Sequence, residues 1–220
     1  MKHFYHKSAF TMIELVFVIV VAGIIAVIAL PRFDRNNLQE AADQVMNHLR
    51  YTQHLAMQDD KFSPNDANWH KKRWQLIFTQ ENESENLFSY TIFSDTAGTS
   101  SGNPDDGEIA KNPLDPTKLL TGGANGVETT DKRATQKMNL GKAYGITNVK
   151  LSTPCSISSS RRIVFDYLGR PLRGNPSSYS SSYPNNRLIN STCEITLETK
   201  NGKGISITIE PETGFVKLKN

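Results

Sequence analysis

The chain has 220 residues, 37% hydrophobic, 21% charged and 9% aromatic. That is enough for one ordinary domain plus an appendage, and it excludes a wholly disordered chain. With 25 basic and 22 acidic residues the formal charge is +3, too small an excess for a dedicated nucleic-acid binder or an acidic tail.

The N-terminus carries the strongest signal. Lys2, His3, His6 and Lys7 precede a run in which every residue from Leu15 to Leu30 is apolar or Gly, although mean hydropathy is −0.45. The start resembles the charged region of an export signal, but Leu30-Pro31-Arg32-Phe33 lacks a small-residue cleavage pattern. Small residues, Ser8 and Ala9, stand before the run instead. A helix from Phe10 to Leu30 is about 30 Å long at 1.5 Å per residue, the thickness of one bilayer core. The run has no polar face, so the sequence predicts a membrane helix rather than a buried core helix. Its one charge, Glu14, lies one turn after Phe10, where a carboxylate is costly unless partnered.

The string Ser8-Ala9-Phe10-Thr11-Met12-Ile13-Glu14-Leu15, with the apolar run, Gly23 and Pro31, resembles the prepilin signal of type IV pilins and type II secretion pseudopilins. The resemblance covers the N-terminal segment; Ala9 stands where Gly is commoner. It implies cleavage between Ala9 and Phe10 by a prepilin peptidase and N-methylation of Phe10. It implies that Glu14 pairs with the new amine of a neighbouring subunit and sets filament registry, and that the helix is interrupted between Gly23 and Pro31. The implied partners are the peptidase, other pilin-like subunits in a helical filament, an inner-membrane assembly platform and inner-membrane lipid. The implied placement is single-pass in the bacterial inner membrane, N-terminus cytoplasmic, with the C-terminal domain periplasmic and assembled into a periplasmic pseudopilus.

The rest of the chain is read from its periodicity. Leu38, Ala42, Val45, Leu49 and Ala56 form one stripe of a helix over about 36–58. Arg73–Thr79 and Leu87–Phe93 read as a hairpin, and the Gly- and Pro-rich 94–136 as a long loop. Tyr144–Leu151 and Arg161–Tyr167 read as further strands, followed by a Ser-rich loop over 175–186. Cys193–Thr199, Ile205–Ile209 and Phe215–Leu218 alternate as three antiparallel strands joined at Asn201-Gly202 and Pro211–Gly214. The segment Ile163–Pro171 and the Pro-Glu-Thr-Gly turn are similar to minor, H-type pseudopilins. The expected fold is therefore α+β and type IV pilin-like: a long N-terminal helix, half in the membrane and half amphipathic, packed on an antiparallel β-sheet domain. Its parts are a leader (1–9), a transmembrane or filament-core helix (10–31), a spine helix (32–60) and a periplasmic β-rich domain (61–220).

No catalytic constellation is evident. There is no HExxH, phosphate-binding loop or G-x-S-x-G elbow, and no cofactor or metal is called for. Asp105, Asp106 and Glu108 are oxygen donors in a Gly/Pro-rich loop but lack the spacing of a calcium loop. His70–Arg73 and Arg161-Arg162 read as solvated strand edges. Cys155 and Cys193, the two cysteines, fit a disulfide in an exported domain, with free thiols as the alternative. The expected function is non-enzymatic: a pseudopilin of a type II secretion filament, or alternatively a minor pilin of a type IV pilus or DNA-uptake machine.

Overall fold

A computed structural model describes residues 11–96 and 101–219, with the side chains of 27–36 left undescribed. The chain divides into two units, Met1–Asn37 and Leu38–Asn220. Helix α1, Met12–Gln58, begins in the first and ends in the second.

In the second unit, the stripe read from the sequence is the buried face of α1. Leu38, Ala41, Ala42, Val45, Leu49 and Ala56 are all buried, because residues three and four apart share a helix face. They join one core with side chains of two sheets.

The first sheet contains β1 (Trp74–Thr79), β2 (Ser89–Ser94), β6 (Arg162–Phe165) and β7 (Pro171–Arg173), in the order β2-β1-β6-β7. β1 and β2 form the expected hairpin, Trp74 opposite Ser94 and Thr79 opposite Ser89. The second sheet contains β5 (Ile146–Leu151), β8 (Cys193–Thr199), β9 (Gly204–Ile209) and β10 (Val216–Leu218), in the order β10-β9-β8-β5. Its last three strands form the expected meander. A small ribbon, β3 (Lys111–Asn112) with β4 (Asp115–Leu119), and a short helix α2 (Leu140–Tyr144) complete the named elements.

Inward residues of both sheets meet α1: Leu76, Phe78, Tyr90, Ile92, Ile163 and Phe165 from the first, and Val149, Ile195, Leu197, Ile207, Ile209 and Val216 from the second. The edges of the first sheet are covered. Ile92 N–H donates to Leu120 O and Gly122 N–H to Tyr90 O along β2, while Arg173 N–H donates to Arg187 O along β7. The expected 94–136 loop is therefore partly an edge cover, which satisfies backbone groups that would otherwise template another chain.

Two expectations are corrected. The fold is mixed α/β with mostly antiparallel sheets, not the expected type IV pilin-like α+β arrangement of a half-membrane, half-amphipathic helix packed on an antiparallel β-sheet domain. Every named strand pair is antiparallel, and an isolated Leu119–Ala134 bridge is parallel. Among the described residues no helix is long and apolar enough to cross a membrane. From Leu38 onward α1 is amphipathic, with Glu40, Asp43 and Arg50 between its apolar positions. The expected transmembrane helix, and with it the single-pass inner-membrane and periplasmic placement, is overturned.

Candidate functional site

The cleavage and methylation positions, Ala9 and Phe10, lie outside the described residues. The next positions form a defined helix start. Glu14 N–H donates to Thr11 Oγ1 at 3.3 Å, and Thr11 N–H donates to Glu14 Oε2 at 3.0 Å. Thr11-Met12-Ile13-Glu14 is thus a capping box, in which two otherwise unpaired backbone donors are satisfied reciprocally. The Thr11 hydroxyl also donates to Glu14 Oε2 at 2.9 Å. The backbone donation from Thr11, then its hydroxyl, hold the carboxyl below its usual range. Glu14 therefore has an intrachain role that its depth in the apolar run did not reveal.

Around it the described apolar side chains are bare. Met12, Ile13, Leu15, Val16, Phe17, Val18, Ile19, Val20, Ile24 and Ile25 are each more than half exposed. Gly23 and Pro31 both fall inside the bounds of α1, and a Cβ added at Gly23 would meet nothing within 4 Å.

Cys155 and Cys193 form a disulfide with Cα atoms 5.2 Å apart. Both are fully buried, and the bond joins the segment after β5 to the first residue of β8.

The carboxylates of the acidic loop are occupied. Asp105 Oδ1 accepts from Asn125 at 2.7 Å, Asp106 accepts both Arg133 Nη1 contacts, at 2.7 and 2.9 Å, and Glu108 Oε2 accepts from Asp105 N–H at 3.0 Å. Among the described residues no group of three His, Cys, Asp or Glu could hold a metal ion.

The basic clusters depart from their expected reading. Arg73 and Arg162 are only 3% exposed. Arg73 lies 5.1 Å from the Trp69 ring and 4.6 Å from the Tyr183 ring, and donates to Ser182 O. Arg162 lies over Phe93 and donates to Gln75 at 2.7 Å and Asn175 at 3.3 Å. Burial lowers its pKa to about 10. The Ser-rich loop supplies these partners through Asn175, Ser182 and Tyr183, so it is a cover for the outer face of the first sheet. Among the described residues, Arg73 Nε and Nη2 and Arg162 Nε have no hydrogen-bond acceptor; the aromatic faces beside these guanidiniums supply their electrostatic compensation. Lys71, Lys72 and Arg161 keep exposed surface.

Two turns meet at α1, one of them the Pro211–Gly214 turn read from the sequence. Gln53 Nε2 donates to Gly169 O and to Thr213 O, both at 2.8 Å. Gly214 is required there, since a Cβ would sit 2.3 Å from Gly169 O and its φ is +63°. The Asp166 carboxylate organises the Gly169 turn, accepting from Leu168 N–H, Arg170 N–H, Arg170 Nε and Tyr183 Oη.

One concavity is a feature the sequence did not point to. A groove of about 870 Å³ is lined by Asp43, His48 and Tyr51 of α1, by Leu114 and Asp115 of the β3–β4 ribbon, and by Lys137, among others. Beneath it, His48 Nδ1 lies 2.7 Å from Tyr90 Oη, and Gln44 Nε2 donates to the same oxygen at 2.7 Å. The one available signal was that Gln44 and His48 are four residues apart and share a helix face. No family model, curated protein or solved structure matches this chain.

Proposed function

We propose that the chain is a non-enzymatic subunit of a pilus-like filament, of the pseudopilin kind that serves type II protein secretion, trimmed after Ala9 and methylated on Phe10 by a prepilin peptidase. The observation that carries the proposal is the exposed apolar surface of α1 from Leu15 to Ile25, directly after a small-Phe-Thr-x-x-Glu string. So much contiguous apolar surface is unfavourable in water and marks an interaction surface. Like chains side by side bury it on one another, and the second unit, with its own core, is left to face other partners. Burial of Arg73 and Arg162 withdraws two guanidiniums from the clusters a DNA-uptake subunit would present, which favours the secretion reading over that alternative.

N-terminal mass spectrometry of the extracted protein tests the proposal. A chain beginning at methyl-Phe10 is expected. An intact Met1, or a cut after Leu30, refutes it.

A further inference from the structure

The hydrogen bonds under the groove admit one assignment of protons. Gln44 Oε1 accepts from Tyr144 Oη at 3.0 Å, so its amide nitrogen faces Lys137 O at 3.0 Å and Tyr90 Oη at 2.7 Å, and donates to both. Tyr90 is fully buried, and its hydroxyl proton has His48 Nδ1 within reach at 2.7 Å. Each donor in this chain then has an acceptor only if His48 is neutral, with its own proton on Nε2. A proton added at Nδ1 reverses the last link. Tyr90 Oη would face two donors, and its own proton would be buried without an acceptor.

We propose that this chain is a proton-operated latch: acid swings His48 away from Tyr90 into the groove and releases the Gln44–His48 turn of α1 from β2. The groove suits an imidazolium. Asp43 and Glu40 of α1 and Asp115 of the ribbon line it, opposed by Lys118 and Lys137. Lys137 is already paired with Glu40 at 2.9 Å, whereas the carboxylate of Asp43 accepts from the neutral Gln39 amide. The tyrosines packed on the network are Tyr51, Tyr90 and Tyr144. The phenols of Tyr90 and Tyr144 are held above their ordinary range, chiefly by burial, and stay protonated throughout the acid window.

Burial lowers the His48 pKa from 6.5 to about 4. The released state therefore binds the proton more readily than the latched state. The latch is at full strength above pH 6.5 and weakens as pH falls toward 4. Between pH 7 and pH 5 these values give a rise of roughly 20-fold in the opening equilibrium.

The test is amide hydrogen exchange of the full chain at pH 7 and pH 5, corrected for intrinsic rates and read over Leu38–Gln58. The expected result is a roughly 20-fold rise in opening for the native chain and none for His48→Gln, which keeps an acceptor and does not titrate. An equal rise in His48→Gln overturns the proposal. Should that variant not fold, the native chain decides: an NMR titration midpoint for His48 well below 6.5 supports the latch, and a midpoint at 6.5 or above refutes it.

Discussion

At the scale of single residues, Glu14 carries two demands that one pair of substitutions separates. Glutamine can replace glutamate in a capping box, because its side-chain oxygen still accepts from the Thr11 N–H. Glu14→Gln is therefore expected to keep amide protection in the first turn of α1, whereas Glu14→Ala loses it. If the carboxylate also sets registry between subunits, Glu14→Gln blocks assembly with the helix start intact; assembly at the native level would end the registry role. Arg162 is the opposite case, a charge whose importance the local sequence conceals. An arginine at the head of a strand commonly points to solvent, and nothing nearby says that Asn175, thirteen residues on, closes over it. Removing it leaves the buried Gln75 Oε1 without its donor. Arg162→Ala is expected to cost about 1–3 kcal/mol in chemical denaturation, as leaving a buried polar group unsatisfied does. Cys155 and Cys193 were legible because two cysteines admit one intrachain pairing. His48 was not, because its partners, Tyr90 and the groove, come from elements distant in sequence.

At the scale of elements, periodicity carried most of the fold. The stripe Leu38 to Ala56 and the strict alternation of Ile205, Ile207 and Ile209 each placed an element, since one buried face imposes its repeat on the sequence. Leu49 is fully buried at the centre of that stripe, so Leu49→Ala is expected to cost about 2–5 kcal/mol by thermal or denaturant unfolding. Pairing between distant strands was less legible. β5 lies beside β8, although the hydrophobic pattern of neither names the other. β7 has three residues, too few to display a period. The disulfide reinforces the β5–β8 neighbourhood by closing the chain across β6, β7 and the Ser-rich loop. Replacing both cysteines by alanine is expected to lower stability by about 2–4 kcal/mol. Adding reductant should lower the unfolding midpoint of the native chain and leave that double variant unchanged.

At the scale of the whole molecule, the two units answer different physical requirements. The second closes its own core, with α1 from Leu38 onward and both sheets contributing buried side chains. The first exposes Phe17, Ile19 and Ile24, at 70, 62 and 57% respectively, with apolar neighbours on every side. Moving one Val, Leu, Ile or Phe side chain wholly out of water is worth about 1.5–3 kcal/mol, so a few such side chains shared between copies can supply a large driving force for association. Among the described residues no helix is long and apolar enough to cross a membrane. Self-association accounts for the exposed surface without such a helix. A variant beginning at Phe33 retains every buried residue of the core, from Leu38 onward, and loses the exposed run. It is expected to unfold cooperatively at nearly the native midpoint and to sediment as a monomer, while the full chain in the same detergent-free buffer sediments as oligomers. Equal sedimentation of the two would show that the apolar run does not hold copies together, and the filament reading would lose its physical basis.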